Sequence, residues 1–130
     1  MYTIGAAAKK TDMPIKTIRY YSDIGLVRPC GHSDKGYRLY DDRALRRLIF
    51  VRRARAFGFS LKTCRNLLAL YSDQSRASAD VKAITIDHIS EIDSKLRELQ
   101  TLRDELAHLA NSCTGDERAD CPILTGLAAP

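Results

Sequence analysis

The sequence predicts a mainly α protein: a winged helix-turn-helix, then one long helix built to pair with another helix, then a cysteine-bearing loop. Three observations predict it. Short apolar-periodic segments punctuated by Thr, Pro, Gly and Asp fill residues 1–71. Ile89, Ile92, Leu96, Leu99, Leu102, Leu106 and Leu109 then recur at steps of 3, 4, 3, 3, 4 and 3, coiled-coil spacing with one short step. Finally, the net charge of +5 is unevenly divided. Residues 1–70 hold 15 Lys/Arg against 5 Asp/Glu, and residues 71–130 hold 6 against 11.

Size and composition bound the answer. The 130 residues are about one domain's worth of chain. No apolar run approaches the ~20 residues of a membrane span, so no membrane partner is expected. The four cysteines, Cys30, Cys64, Cys113 and Cys121, are too few and too scattered for a secreted disulfide framework. Met1-Tyr-Thr-Ile-Gly leads into an alanine-rich polar stretch with no apolar leader segment, so reduced thiols in a cytoplasmic setting are expected. The basic front half points to a polyanion, and the acidic back half to a part that does not touch it. Charge alone does not separate that reading from an ordinary solvated surface.

Taken in order, Thr3 is placed to cap a helix over residues 4–10, with Ile4, Ala7 and Ala8 on one face. Thr11-Asp12-Met13 breaks it, and Pro14 suits the first turn of a second helix, residues 14–21. Ile15 and Ile18 are expected inward, and Lys16, Thr17, Arg19 and Tyr20 outward. Two short helices joined by a tight turn (residues 4–23) suit a helix-turn-helix whose second helix enters the major groove. There Arg reads guanine, and Thr or Tyr reaches phosphate or a thymine methyl. A helical hairpin with a solvated basic face explains the same pattern, and both readings stand at this point.

Gly25 is the expected stop. Residues 26–40 read as a small hairpin, with Leu26-Val27 and Tyr37–Tyr40 flanking a polar, Gly-containing turn. Attached to a helix-turn-helix it is a wing, with Tyr37 and Arg38 at its base placed for phosphate and sugar contacts. Cys30 and His32, one residue apart with no partner nearby in sequence, read as solvated loop residues.

Asp41 caps a third helix to about Phe57, carrying Leu45, Leu48, Ile49 and Val51 for the core. Its outer face holds Arg43, Arg46, Arg47, Arg52, Arg53 and Arg55. Arg55, near the end, is placed as a second wing, and most of the others are expected in solvent. Gly58 stops this helix, and Ser60 caps a fourth, residues 61–71, with Leu67, Leu68 and Leu70 inward. Cys64 inside it reads as a buried small hydrophobe. Residues 72–79 form a polar linker. The long helix, residues 80–111, would be roughly 48 Å long, more than one small core can cover, so its seam calls for a second helix, most simply its twin.

Past that helix comes Cys113-Thr-Gly-Asp-Glu-Arg-Ala-Asp-Cys121, a loop too polar to pack in a core, with Gly115 to turn it and Pro122 to start a short helix. Thiolates favour Cu(I), zinc and iron–sulfur clusters over hard cations. Structural zinc takes four ligands, and this loop offers two. Spacing alone leaves three roles open: a low-coordination soft-metal site, a redox pair, or none. An enzyme is not expected. There is no Cys-x-x-Cys, His88 and His108 lie on the long helix, and no nucleophile–base–orienter set assembles.

The chain resembles the MerR family of transcriptional regulators, specifically the copper-efflux-regulator branch that senses Cu(I), Ag(I) and Au(I). The resemblance is carried by Tyr2-Thr-Ile-Gly, Lys16-Thr-Ile-Arg-Tyr-Tyr, Ile24-Gly-Leu-Val, Gly36-Tyr-Arg-Leu-Tyr, Ala56-Phe-Gly-Phe-Ser, Ser78-Ala-Asp-Val-Lys and Cys113-x7-Cys121-Pro-Ile. The front motifs are shared across the family; the last two are specific to the branch. The resemblance implies a winged helix-turn-helix DNA-binding domain (1–71), a linker (72–79), an antiparallel coiled-coil dimerisation helix (80–111), and a metal-binding loop with a short helix (112–130). It implies a homodimer on promoter DNA, with Lys16, Thr17, Arg19, Tyr20, Tyr37, Arg38 and Arg55 at the interface and Cu(I), Ag(I) or Au(I) held by Cys113 and Cys121. Divalent-metal relatives carry a ligating cysteine where this chain has Ser78. Two thiolates with a monovalent ion leave −1, which Lys82 and the partner's helix terminus would offset. Metal binding is then expected to distort a promoter with an overlong spacer so that RNA polymerase engages. The tail departs from some relatives in lacking a Cys/His-rich extension. A disulfide redox switch and a zinc- or cadmium-type divalent sensor are the alternatives within the same DNA-binding class.

Overall fold

Helix α1, Ile4–Thr11, begins where Thr3 caps it, the Thr3 hydroxyl accepting from the Ala6 amide at 3.2 Å. The computed structural model describes residues 1–130, which fall into two units, Met1–Val81 and Lys82–Pro130. In the first unit α1 closes through Asp12 in the left-handed region (φ 54°), a conformation Asp tolerates better than most residues. Helix α2, Ile15–Asp23, starts one residue later than expected, with Pro14 as an extended N-cap. It ends at Gly25 (φ 71°), where the Gly25 amide bonds to Ser22 O and the Leu26 amide to Tyr21 O. Those paired bonds satisfy the last carbonyls, and the positive φ requires glycine.

Two expectations fail here. Ile15 is 41% exposed, and the buried positions of α2 are Ile18 and Tyr21. Ile15 sits in the first turn, against the open α1–α2 connection, one turn short of the packed face. Leu26 and Val27 form no wing strand. They are buried in the core, and both amides bond to Tyr21 O, at 2.9 and 3.2 Å, so neither is free for a ladder.

The wing instead pairs β2, Gly31–His32, with β3, Arg38–Tyr40, in the register Gly31↔Leu39 and His32↔Arg38. Its tip is tied by the Gly36 amide to Ser33 O and the Tyr37 amide to the Ser33 hydroxyl. A two-residue strand β1, Tyr2–Thr3, adds to the other edge of β3, giving the order β1-β3-β2.

Asp41 caps α3, Asp42–Ala56, accepting from the Ala44 amide at 2.8 Å, and Ser60 caps α4, Leu61–Ser72, accepting from Thr63. The two helices contribute Leu45, Leu48, Val51, Cys64, Leu67 and Leu68 to the buried interior, where α1, α2 and Tyr40 meet them. Ile49, expected in the core, is only half-buried. Cys64 is fully buried, and burial raises its thiol pKa, with Arg55 opposing. The Tyr40 hydroxyl is buried with no hydrogen-bond partner.

Helix α5, Ser78–Asn111, runs for 34 residues, starting two residues before the expected point. No residue on it is buried. Ile89, Ile92, Leu96, Leu99, Leu102 and Leu106 are 41–62% exposed. A short helix α6, Pro122–Ala128, opens with Pro122 at its first turn. It lies on α5 at Leu109: a Cβ added to Gly126 would stand 2.7 Å from a Leu109 methyl. No helix is long and apolar enough to cross a membrane.

Candidate nucleic-acid interface and thiol loop

The first unit turns one charged face outward. On α2, Lys16, Arg19 and Tyr20 are exposed and Thr17 is half-buried; on the wing, Tyr37 is exposed and Arg38 half-buried. Between them lies a cleft of about 650 Å³, lined by Thr3, Ile4, Arg19, Tyr37 and Arg38 among others. The structure therefore gathers six of the seven sequence-identified residues around α2 and the wing. Arg55 lies in the last turn of α3, where its guanidinium donates to Phe59 O at 2.8 Å and neighbours the Tyr21 hydroxyl of α2.

Arg38 has an intramolecular role that its place in the sequence did not predict. One guanidinium nitrogen pairs with the Asp23 carboxylate at 2.7 Å, and another donates to Arg19 O at 3.2 Å. Arg65 of α4 donates to Ile24 O and Gly25 O at 3.0 and 3.3 Å. Two arginines, one from the wing and one from α4, thus hold carbonyls at the C-terminal end of α2, where cations interact favourably with the helix dipole. Sequence reasoning missed Arg65, because nothing local marks a residue whose partners lie 40 positions away. The arginines of α3 are also less free than expected: Arg47 donates to the Ser72 hydroxyl and Arg52 to Thr11 O. Tyr21, beneath this layer, has its phenol pKa raised, chiefly by burial.

The thiol loop follows from α5. The Cys113 amide bonds to Ala110 O and the Ser112 hydroxyl to His108 O, closing the helix at the first thiol. Gly115 (φ 68°) turns the chain. Asp116 then organises the loop: its carboxylate accepts from the Thr114 hydroxyl and from the Arg118 amide and guanidinium, all at 2.8–2.9 Å. These bonds hold its pKa below the ordinary carboxylate value. Cys121 stands at the N-cap of α6. Its thiol pKa is lowered, first by the Leu124 backbone N–H and then by the Ile123 N–H and the Cys113 side chain; desolvation and Asp120 oppose. Both thiols are free and half-buried, and the Cys113 side chain is one of the groups that lower the Cys121 pKa. Two adjacent soft donors, one predisposed to be thiolate, fit a soft ion of low coordination number. Nowhere does the chain gather three or more His, Cys, Asp or Glu side chains into a metal cluster. Lys82 lies on α5 about 44 Å of helix before its end, and Ser78 is its first residue. Neither adjoins the thiols along a single chain.

A helix-turn-helix with a wing, a long helix with an open apolar seam and a terminal thiol loop define the class: a DNA-binding transcription regulator. Comparison with known proteins identifies the family. The MerR HTH family regulatory protein model matches residues 2–70, and the MerR, DNA binding model matches residues 45–109. The chain is 50% identical over 125 residues to the HTH-type transcriptional regulator HmrR of Rhizobium leguminosarum bv. viciae, covering 96% of each. It is 46% identical over 125 residues to the HTH-type transcriptional regulator CueR of Salmonella typhimurium, covering 96% of this chain and 91% of that one. Among solved structures, the transcription regulator PbrR691 from Ralstonia metallidurans in complex with lead(II) matches with TM-score 0.85 at 36% identity, over 98% of this chain and 100% of that one. The chain belongs to the MerR family of transcriptional regulators.

Proposed function

We propose that this protein is a cytoplasmic, metal-responsive activator that works as a homodimer on double-stranded promoter DNA. Its effector is Cu(I), with Ag(I) and Au(I) as alternatives, and Cys113 and Cys121 are the ligands. The observation that carries this reading is the placement of those two thiols at the two ends of one short loop, just past the end of α5 and at the N-cap of α6, with Cys121 shifted toward thiolate. Relatives with regulator names tied to metals support a metal effector, and the choice of a monovalent ion rests on the two-thiolate donor set and on Ser78.

In this account Cys113 and Cys121 give up their protons and hold the ion. A monovalent ion on two thiolates leaves one negative charge, and Lys82 of the partner subunit's equivalent helix start offsets it. Ser78 withholds the additional sulfur that a divalent ion would use. Lys16, Thr17, Arg19 and Tyr20 read or grip the major groove, while Tyr37, Arg38 and Arg55 fix register on the backbone. The ordered loop then favours one of two arrangements of the dimer, in which the promoter is bent and untwisted for RNA polymerase. Such a switch needs a differential affinity of the ligand for the two states.

The test is a reporter assay beside operator-binding measurements. Cys113→Ser and Cys121→Ser should each abolish the metal response while leaving operator affinity unchanged. A response retained in both variants contradicts the site. Ser78→Cys should broaden the response to divalent ions.

A further inference from the structure

Cys30 is exposed at the start of the wing, and the sequence offers it no partner. The structure does. Its sulfur stands 3.1 Å from the Met1 thioether sulfur and 3.3 Å from Leu39 O, alternative acceptors for its single S–H. The two sulfurs come from opposite sides of the small sheet: Met1 precedes β1, Cys30 precedes β2, and β3 runs between them. Cys30 is fixed by its backbone, its amide bonding to Leu39 O at 2.9 Å. Met1 is 77% exposed and unbranched, free to adjust.

We propose that Met1 and Cys30 form a second soft-metal site, a thiolate–thioether pair that takes Cu(I) or Ag(I) independently of the Cys113–Cys121 loop. The chemistry selects the ion class: thiolate and thioether are the two soft side-chain ligands, and they favour Cu(I) over magnesium, calcium or manganese. The geometry is permissive. With metal–sulfur bonds of ~2.3 Å, two sulfurs on one ion stand at most ~4.6 Å apart; the present 3.1 Å separation lies within that limit, and the exposed Met1 side chain is not held by burial. Binding replaces the Cys30 S–H bond with a metal–thiolate bond and releases that proton to solvent, so no oxidant is needed. With one thiolate and one neutral donor the pair is weaker than the loop site, and it fills second.

The test uses the full chain, anaerobic and chloride-free, with Ag(I) as the probe. The Cys113→Ser/Cys121→Ser variant should still bind one Ag(I) per protomer by native mass spectrometry, and adding Cys30→Ser should abolish that equivalent. The chain has only two methionines, and Met13 is buried. ¹³C-methyl methionine spectra therefore contain one exposed reporter, and the Met1 methyl should shift on addition of the metal while Met13 stays. In the wild-type chain the same shift should appear with the second equivalent. Absence of Ag(I) binding by the double variant, or binding with the Met1 methyl unmoved, overturns the proposal. Neither outcome bears on the loop site, whose ligands are absent from the double variant.

Discussion

The two units of this chain solve the burial problem in opposite ways. In residues 1–81, Ile18, Tyr40, Leu48, Val51 and Cys64 are sealed inside, and arginines of the wing and of α4 bond to the end of α2. In residues 82–130 an equally apolar series lies open, with Leu99 at 62% exposure and no buried residue anywhere on α5. One unit closes its own core; the other presents half of one. A seam of Ile and Leu at coiled-coil steps, left this exposed, is what a helix looks like without its partner. In the proposed dimer the first unit supplies the DNA-binding surface and the second completes its packing between subunits.

Substitutions can break the contrast directly. Leu99→Lys, in the middle of the open seam, should convert the protein to monomer by analytical ultracentrifugation while leaving the fold of residues 1–81 intact. A stable dimer with Leu99→Lys would show that the seam is not the interface. Leu48→Ala should have the next largest effect, lowering unfolding free energy by about 2–5 kcal/mol, whereas Ile92→Ala should cost far less in monomer stability and act through dimer affinity. Equilibrium denaturation across a range of protein concentrations separates the two.

Cysteine chemistry sharpens the same comparison. Cys64 is fully buried with a raised pKa, and Cys121 is only half-buried with a lowered one. Thiolate is the reactive form, so iodoacetamide should modify Cys121 long before Cys64. The Cys121 rate should fall as pH drops through its folded pKa, which lies below the ordinary thiol value, while Cys64 stays inert until the unit unfolds. Peptide mapping after timed quenching reads both rates; comparable modification of Cys64 in native protein contradicts the assignment. The smallest effect is expected at Tyr40, whose buried hydroxyl has no partner. Removing an unsatisfied buried group recovers its desolvation cost, so Tyr40→Phe should leave the unfolding free energy unchanged or raise it, by no more than about 1–3 kcal/mol, with the melting temperature unchanged or higher.

Local chemistry was legible in the sequence. Thr3, Asp41 and Ser60 each cap the helix they were expected to cap, and Gly25 and Gly58 stand at helix ends with positive φ. Cys64 was recognisable as core because a lone cysteine among leucines on a helix has no polar task. What stayed hidden depends on contacts distant in sequence. Strand β1 is two residues long and exists only because β3 accepts it. Leu26-Val27 looked like strand because its apolar pair could not be distinguished from core filler until Tyr21 O claimed both amides. The bonds of Arg38 and Arg65 to α2, and the approach of Met1 to Cys30, join residues 15 to 41 positions apart. The thiol loop divides the same way: its cysteines and turning glycine were readable, but the Asp116 bonds that shape it were not.

The central claim, a monovalent-metal sensor built on Cys113 and Cys121, is tested most directly by anaerobic titration of the reduced Cys30→Ser protein with Cu(I) and Zn(II) against chelators of known affinity. The account predicts one tight Cu(I) per protomer, lost in Cys113→Ser and Cys121→Ser, with weak Zn(II) binding. Tight Zn(II) binding would contradict it and place the protein among divalent sensors; binding of neither ion would leave a thiol–disulfide switch as the role of the pair.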